Sequence, residues 1–439
     1  MPHAGPALNK PVRLASLLER GLKTRPDAPA LIALDETWSW SELERCTERL
    51  AARYLALGLA PGDRVASLMP NRPALIAHYL ACFKAGLVMT PLNYRYTPPE
   101  IDHALAVSGA RIILAHAERA ADLAASKAAS LPLGVISYGA KQTAGPGFES
   151  LIEGGPASTA LPEPPREAPA AIFFTSGSTG PAKGVTHSMA SLGCMFASVA
   201  QGYCLTPDDV MLPASSCSHL GAFSFSLAAL AAGAPVAIAR TFDHAELGPL
   251  MRATRPTVMS MLPAALLHLI REPGTTADDF ASLRFCRSGG DKVPAELEKE
   301  FNALTGREIH EGYGMTELGI AANNPPTGLD KLGSIGLPNP GFIFSIRTEQ
   351  GGEAADDEEG RVFISAQSRF TGYWNDAAAT EDVLRDGWLD TGDVMRADAD
   401  GFIWFCGRKK QIIVHDGSNI SPQEVEDALL QHPAVEAAG

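Results

Sequence analysis

Several features that mark common protein classes are absent from this sequence of 439 residues. No run of about 20 apolar residues could cross a bilayer, since the nearest candidate, 223–239, is broken by Gly233 and Pro235. The N-terminus lacks the charged-then-apolar layout of a signal peptide. Seven cysteines stand singly, with no Cys-x-x-Cys pair and no Cys/His spacing of the zinc type. These absences argue against an integral membrane protein and a zinc module, and they predict a cytoplasmic location.

Positive charge is also scarce. The chain has 36 Lys and Arg against 50 Asp and Glu, which gives a net charge of −14. A nucleic-acid or anionic-membrane partner would require a basic face, and none is visible in the sequence. The apolar fraction of 46% is that of a globular protein and no glycine period runs through the chain, which excludes disorder and a collagen-like fold.

The hydrophobic pattern of the first three quarters of the chain alternates between short strands and helices. It predicts a strand over 64–69 and helices over 40–57, 118–129 and 187–201, the first of them capped by Ser41. Strands separated by helices of this length are typical of βαβ units and a parallel sheet with helices on both faces. We therefore expect an α/β fold.

The pattern changes from about residue 323, where glycine and proline punctuate short strands that predict a small antiparallel barrel or sheet. The last residues begin a further element that is too short for a domain. The expected organisation is a large N-terminal domain over 1–406, a hinge over 407–411 and a truncated start of a small α+β domain over 412–439. Within the large domain we expect two doubly wound α/β subdomains, about 1–165 and 166–322, and a β-barrel-like subdomain, about 323–406.

The strongest chemical signal is the segment from Phe173 to Gly184, which reads FFTSGSTGPAKG between an apolar strand and a predicted helix. Small residues let successive backbone N–H groups converge on an anion, hydroxyls add donors, and Lys183 adds charge. It is not a Walker loop, which requires Ser or Thr directly after the lysine. A flexible Ser/Gly linker is the alternative, and the apolar flanks argue against it.

Three later motifs can each be understood chemically, although each alone is more often an ordinary turn. The ring of Tyr313, in the run that ends at Glu317, can stack on a purine. Ser288-Gly289-Gly290-Asp291 ends a predicted strand. Asp393 could accept hydrogen bonds from both hydroxyls of a ribose, and Arg408 offers a planar fork to a ribose or phosphate.

Taken together, these motifs resemble those of the AMP-forming acyl-adenylate enzymes, which include acyl-CoA synthetases, luciferases and peptide-synthetase adenylation domains. The resemblance runs in order along nearly the whole chain. It is carried by the loop above and by five further segments: 38–43 (WSWSEL), 62–66 (GDRVA), 312–317 (GYGMTE), 388–393 (WLDTGD) and 407–410 (GRKK).

The resemblance implies a role for each matching residue. Catalytic roles fall to Thr316, Glu317 and Lys183, Mg²⁺ binding to Glu317 and Thr175, and hinge motion to Lys410. The implied acyl pocket contains His219, Phe223, Gly314 and Met315, although a lone histidine in an apolar stretch is equally consistent with a core residue. The implied nucleotide site consists of Thr175, Ser176, Gly177, Ser178, Thr179, Gly180, Lys183, Gly289, Gly290, Asp291, Tyr313, Thr316, Asp393 and Arg408.

The implied reaction is ATP-dependent activation of a carboxylic acid, followed by transfer of the acyl group to coenzyme A, with Mg²⁺ as the metal. The family's distal lysine, which bridges carboxylate and phosphate, has no counterpart before Gly439, so we expect impaired activity from the chain as it stands. Two alternatives remain open: an enzyme that loads a carrier-protein thiol, and a catalytically silent nucleotide or acyl binder. Beyond these small molecules the expected partner is at most a second copy of the chain, in a homodimer.

Overall fold

The structure is a computed structural model. It describes residues 2–140, 145–154, 160–175, 181–328, 331–408, 413–415, 418–420, 429 and 435. The predicted phosphate-loop residues Ser176 to Gly180 and the predicted hinge residue Lys410 lie outside the described residues.

The α-helices of the described residues are α1 (Glu19–Thr24), α2 (Trp40–Ala56), α3 (Pro73–Ala85), α4 (Pro98–Ser108), α5 (Ala120–Ala124), α6 (Phe148–Ile152), α7 (Met189–Gly202), α8 (Leu220–Ala232), α9 (His244–Thr254), α10 (Pro263–Arg271), α11 (Ala295–Thr305) and α12 (Ala377–Val383).

The strands, in chain order, are β1 (His3–Ala4), β2 (Pro29–Ile32), β3 (Thr37–Ser39), β4 (Arg64–Leu68), β5 (Val88–Pro91), β6 (Ile112–His116), β7 (Val135–Tyr138), β8 (Pro169–Thr175), β9 (Lys183–Ser188), β10 (Met211–Ala214), β11 (Val236–Ala237), β12 (Val258–Met261), β13 (Phe285–Gly289), β14 (His310–Met315), β15 (Gly319–Asn323), β16 (Leu337–Pro338), β17 (Phe342–Arg347), β18 (Gly360–Ala366), β19 (Gly372–Tyr373), β20 (Leu384–Arg385), β21 (Trp388–Ala397), β22 (Ile403–Arg408), β23 (Ile413–His415) and β24 (Ser418–Ile420).

Two large sheets are built around parallel strands, which confirms the α/β class. A seven-stranded sheet has the order β19-β9-β8-β5-β4-β6-β7, and a nine-stranded sheet has the order β16-β15-β14-β13-β12-β10-β11-β2-β3. Neighbouring strands from β8 to β7 and from β14 to β2 run parallel, whereas the outer strands pair antiparallel. Parallel strands joined by helices bring their carboxyl ends to one edge, where ligand sites form.

The third unit is an open antiparallel sheet rather than the predicted barrel-like form. Its order is β1-β17-β18-β21-β20, with β22 also paired to β21. The short strand β1 comes from the N-terminus, so this sheet draws on chain far outside 323–406. Its buried apolar face forms a separate core around Phe342, Phe344 and Ile364.

The two α/β sheets exchange strands across the predicted boundary at residue 165. The hairpin β2–β3 from the first subdomain joins the nine-stranded sheet, and β8 and β9 from the second join the seven-stranded sheet. Similarly, β16 extends the nine-stranded sheet past residue 323. The proposed subdomains therefore do not coincide with whole sheets, because each sheet is completed by strands from distant parts of the chain.

Three predictions about the ends of helices are wrong. The N-cap of α2 is Ser39 and not Ser41, since Ser39 and Glu42 form a reciprocal capping box. The helix expected over 118–129 is divided into α5 and two flanking 3₁₀ turns, the second of them capped by Ser126. The helix expected from His187 begins at Met189, because 183–188 is strand β9 paired with β8.

Candidate active site

A wall of glycines forms where β13 and β14 lie side by side. Gly289 is paired with Gly312, and a Cβ atom on Gly289 would lie 2.4 Å from the Gly312 carbonyl oxygen, so no side chain fits there. The next residue, Gly290, has φ +94°, which favours glycine. The wall borders a cavity of about 380 Å³, which is lined by Gly290, Asp291, Lys292, Glu311, Gly312, Tyr313, Gly314, Gly333, Ile335, Phe405 and Arg408.

Beside this cavity, three residues predicted to bind the nucleoside are joined by hydrogen bonds. The Tyr313 hydroxyl donates to Oδ2 of Asp393 over 2.6 Å, and Nε of Arg408 donates to Oδ1 over 2.9 Å. Antiparallel pairing of β21 and β22 places Asp393 opposite Arg408, whereas Tyr313 arrives from β14 in another sheet. Residues that are 80 apart in sequence, Tyr313 and Asp393, thus meet at the junction of two sheets.

Burial decides the electrostatics of this group. The side chain of Asp393 is 1% exposed, whereas that of Arg408 is 55% exposed. Burial raises the pKa of Asp393 above its ordinary value, against the opposing effects of the Tyr313 hydroxyl and the Arg408 charge. The pKa of Tyr313 lies well above its ordinary value because the ring is buried next to that carboxylate. Tyr313 therefore stays protonated, as a donor to Asp393.

A second group lies around Glu317. Its Oε1 accepts a hydrogen bond from the Tyr373 hydroxyl over 2.8 Å, and Nζ of Lys183 lies 4.9 Å from the centroid of the Tyr373 ring. Burial raises the pKa of Glu317, while the Tyr373 hydroxyl opposes that rise. Strand β19 carries Tyr373 to this place by pairing with β9. The candidate metal ligand and the candidate phosphate-binding lysine thus approach the same tyrosine.

Thr316 is fixed through its backbone. His187 donates from Nε2 to the Thr316 carbonyl oxygen over 2.8 Å. Burial lowers the pKa of His187 to about 4, so the ring is neutral and the carbonyl acceptor defines Nε2 as the protonated nitrogen. This bond connects β9 to the segment that carries Thr316 and Glu317.

The predicted phosphate loop connects two strands of a hairpin rather than a strand and a helix. Thr175 ends β8, Lys183 begins β9, and the two residues are antiparallel partners. The ring of His103 in α4 bonds through Nε2 to the carbonyl oxygen of Ala182 over 2.8 Å, directly before Lys183. Both ends of the loop are therefore anchored in regular structure.

The segment that precedes α8 carries the candidate acyl-pocket histidine. His219 is the N-cap residue of α8 and is exposed, although the protein around the ring lowers its pKa. It is therefore not a buried core residue. Asn71, in the connection between β4 and α3, holds this segment, because its Nδ2 donates to the Ser215 carbonyl over 2.9 Å and its Oδ1 accepts from the Cys217 N–H over 2.8 Å.

The other three residues of the predicted acyl pocket lie in different surroundings. Gly314 lines the 380 Å³ cavity, and Met315 is half-buried against the apolar core around Phe342, Phe344 and Ile364. Phe223 is fully buried, and its ring contacts those of Tyr79, Phe83, Phe173 and Phe196 in the core. Its role in an acyl pocket stays a prediction.

Sequence reasoning missed Tyr373, Asn71 and His103. Tyr373 stands in a Gly-Tyr-Trp run whose partner, Glu317, is 56 residues away, and Asn71 contacts residues 144 and 146 positions further on. The only local signal was the position of Asn71 shortly after β4, at the edge where parallel strands end.

No helix in the described part of the chain is long and apolar enough to span a membrane. Within the same residues, no three His, Cys, Asp or Glu side chains cluster as metal ligands would.

Known proteins are similar to this chain in both sequence and fold. The profile of the AMP-binding enzyme family matches residues 18–374. A feruloyl-CoA synthase from Amycolatopsis sp is 33% identical over 97% of this chain and 83% of that protein. An indoleacetate–CoA ligase from Aromatoleum aromaticum is 30% identical over 97% and 84% of the two chains.

Solved structures agree with these relatives. The ATP-bound crystal structure of MatB from Rhodopseudomonas palustris superimposes with a TM-score of 0.87 at 28% identity, covering 96% of this chain and 84% of that one. The anthranilate CoA ligase AuaEII in complex with anthranoyl-AMP has the same fold, with a TM-score of 0.89 at 24% identity over 98% and 84% of the chains. With its motifs in order, its glycine-walled cavity and a profile match over most of its length, this chain belongs to the AMP-binding enzyme family, among relatives that are acid–CoA ligases.

Proposed function

We propose that this protein is an acyl-CoA synthetase, which activates a carboxylic acid with ATP and transfers the acyl group to coenzyme A. The observation that carries the proposal is the group Tyr313, Asp393 and Arg408 beside a cavity of about 380 Å³. An aromatic ring, a buried carboxylate and an exposed guanidinium match the base, the ribose hydroxyls and the phosphates of a nucleotide. Relatives named for CoA ligation support the same reaction.

In the first step, a carboxylate oxygen of the acid forms a bond to the α-phosphorus of ATP. The bond from that phosphorus to the bridging oxygen breaks, and pyrophosphate leaves with the electron pair. A carboxylate is already a nucleophile, so no general base is needed. The task of the protein is to bring two anions together and to compensate their charge, for which Lys183 and Arg408 provide cations.

Mg²⁺ fits the residues present as a partly hydrated ion. Glu317 provides one buried carboxylate and Thr175 one hydroxyl, which suits a metal that keeps several waters and binds substrate phosphates. When bound, the ion neutralises charge on the phosphates. Tyr373 holds the Glu317 carboxylate in one orientation through the 2.8 Å hydrogen bond.

In the second step, a thiolate attacks the acyl carbon and AMP leaves. Coenzyme A is the acceptor we propose. A carrier-protein thiol is the second candidate, because a fatty acid–[acyl-carrier-protein] ligase from Streptomyces coeruleorubidus is 30% identical over 94% of this chain. A homodimer and a cytoplasmic location stay predictions of the sequence.

The test is pyrophosphate release from a panel of carboxylic acids, with and without coenzyme A. Acid-dependent release, followed by CoA-dependent release of AMP, is the expected result. AMP release that requires a carrier protein and not coenzyme A would favour the second candidate. A melting temperature that does not respond to saturating Mg·ATP, together with no release from any acid, would contradict the nucleotide site itself.

A further inference from the structure

A second cavity, of about 430 Å³, opens where the start of α7 meets two loop segments. Arg166 and Glu167 line it from the segment before β8, and Gln367, Arg369 and Thr371 line it from the segment after β18. No described residue lines both this cavity and the 380 Å³ nucleotide cavity. The reaction proposed above uses none of these five residues.

Two guanidinium groups line this cavity without a carboxylate partner. Neither Arg166 nor Arg369 forms an ion pair with a described residue. Nη1 of Arg369 donates to the Ala366 carbonyl over 3.1 Å, whereas its Nε is buried without a hydrogen-bond partner. Because a buried charged donor without an acceptor is costly, this guanidinium marks a place for an anionic ligand.

The backbone of Arg166 is held against α7. Its carbonyl accepts the Ala190 N–H over 2.7 Å, and the Ala168 carbonyl accepts the Met189 N–H over 3.0 Å. The first amides of α7 are thus already used, so a ligand here would have to be bound by side chains. Burial raises the pKa of the Cys194 thiol in the cavity wall, and the charge of Arg166 opposes that rise. The guanidinium therefore lies within electrostatic reach of the wall.

The charges on this cavity favour an anion. Among the described residues that line it, Glu167 is the one acid, against the two arginines, and its side chain is exposed. The amide of Gln367 and the hydroxyl of Thr371 add neutral donors. Guanidinium groups bind phosphate through parallel N–H donors, and a phosphate has oxygens on several sides, so it can accept from two arginines at once.

We propose that this cavity binds a phosphate-type oxyanion between Arg166 and Arg369. The ligand is inorganic phosphate or the terminal group of a small phosphate ester, since both present the same oxygens. The volume of about 430 Å³ has room for an ester of a few carbon atoms. This site is separate from the one that binds ATP in the proposed function.

The cavity is also connected to the segment that carries the candidate metal ligand. Phe370, directly after Arg369, donates its N–H to the Glu317 carbonyl over 2.7 Å. Ser368, directly before Arg369, donates from Oγ to the Leu318 carbonyl over 3.0 Å. An oxyanion that fixes Arg369 therefore acts on the backbone at 317–318, and its binding is coupled to that of Mg·ATP. By linkage, each ligand changes the affinity of the other by the same factor.

The experiment titrates inorganic phosphate, or glycerol phosphate in a second arm, into protein whose nucleotide site is filled by Mg²⁺ and a non-hydrolysable ATP analogue, at constant ionic strength. Calorimetry should show one oxyanion site in the wild type. Arg166→Gln and Arg369→Gln should each weaken it by about 10-fold, because each removes charge-assisted hydrogen bonds. Glu167→Gln should strengthen it by about threefold, because a repelling charge is lost. Arg53→Gln, at an exposed position of α2 that does not line the cavity, is the matched control.

The outcomes decide the site first. No saturable binding of either probe by the wild type would overturn the inference, as would equal affinities in Arg166→Gln and Arg53→Gln. If Arg369→Gln does not fold, Arg166→Gln decides alone, because Arg166 is exposed. Tighter binding of glycerol phosphate than of phosphate supports the site and identifies an ester as its ligand, and the reverse supports it with the free ion.

The coupling has its own measurement. When saturating phosphate replaces chloride, the affinity of the wild type for the Mg²⁺-bound ATP analogue should change by about twofold or more, and that of Arg166→Gln should not. An equal change in both proteins would show competition at the nucleotide site and overturn the coupling. Phosphate binding that depends on Arg166, without pyrophosphate release from any acid, would support this site and contradict the proposed function.

Discussion

At the scale of single residues, the candidate site contains two buried carboxylates, and the side chains that hydrogen-bond to them are candidates for a functional role as well. Asp393 is held by Tyr313 and Arg408, and Glu317 by Tyr373. Each carboxylate is buried and has a raised pKa. A ligand that supplies hydrogen-bond donors or positive charge therefore stabilises the ionised form of each.

The first prediction concerns Asp393→Asn. Removing one buried charge that accepts hydrogen bonds should weaken AMP and ATP alike by about 10- to 100-fold, because the ribose is common to both. Titration calorimetry with each nucleotide measures the effect. Asp390→Asn is the matched control, since Asp390 lies on the same strand and forms its ion pair with Arg361 outside the cavity. Equal affinities in wild type and Asp393→Asn would contradict the ribose role.

The second prediction concerns Glu317→Gln, which retains an acceptor for the Tyr373 hydroxyl but loses the charge. ATP affinity should fall by about 10-fold in Mg²⁺ and remain unchanged in EDTA, because only the metal-dependent part of binding needs the carboxylate. The EDTA titration is the internal control. An equal loss in both buffers would point to a role in shape rather than in metal binding.

The third prediction concerns pH and stability. Glu311 has a pKa of about 7 in the folded protein, against 4.5 as its ordinary value. The folded state therefore binds more protons between these values, and stability from this group falls as pH rises from 4.5 through 7. Glu311→Gln should match wild type near pH 4.5 and exceed it by about 3 kcal/mol at pH 8. The measurement is the free energy of unfolding of both proteins in denaturant at both pH values. A difference between the two proteins that does not change with pH would contradict the prediction.

At the scale of secondary-structure elements, local signals were sufficient where a helix has its own boundaries. The pattern of 40–57 predicts the extent of α2 almost completely, because its apolar residues recur on one face, although the capping residue is Ser39 and not Ser41. The helical pattern predicted from His187 fails at residues 187–188, where pairing with β8 overrides it. Strand pairing involves distant residues, so a local window cannot contain the information.

The fourth prediction tests the corrected cap. Ser39→Ala should destabilise the start of α2 by about 1 kcal/mol, whereas Ser41→Ala should have a much smaller effect, because only Ser39 accepts the N–H of Glu42. Hydrogen exchange at the first amides of α2 measures this directly. Faster exchange in Ser41→Ala than in Ser39→Ala would reverse the assignment.

In the candidate site, too, residues within sequence motifs could be predicted, whereas residues that act through distant contacts could not. Tyr313, Asp393 and Arg408 were predicted because each lies in a motif of the family. Asn71, Tyr373 and His103 were not, because their importance comes from contacts with other elements. For Phe223 the local pattern does not distinguish an aromatic residue beside a pocket from one packed in the core, where the structure places its ring.

At the scale of the whole molecule, the N-terminal segment joins the antiparallel sheet to the α/β part. Strand β1 pairs with β17, the Gly5 N–H donates to the Phe342 carbonyl, and the Val12 N–H donates to the Gly193 carbonyl in α7. A Cβ atom on Gly5 would lie 2.1 Å from the Asn339 carbonyl oxygen. This segment is therefore packed backbone to backbone.

The fifth prediction follows from that contact. Gly5→Ala should displace the segment and lower the melting temperature by a few degrees, because overpacking against backbone costs about 1–3 kcal/mol. Gly352→Ala is the control, since open space surrounds the corresponding position there. Calorimetry of both variants measures the difference. Equal melting temperatures for Gly5→Ala and wild type would show that the segment adapts without loss.

The exchange of strands between the two sheets has a consequence for synthesis on the ribosome. The hairpin β2–β3 can join its sheet only through β11, about 200 residues later in the chain. Tyr313 likewise has no carboxylate partner until Asp393 has been translated, and Asp393 in turn has no cation beside it until Arg408 follows. Nucleotide therefore cannot stabilise the nascent chain through this group until residue 408 has emerged, and the early strands remain unpaired during that interval.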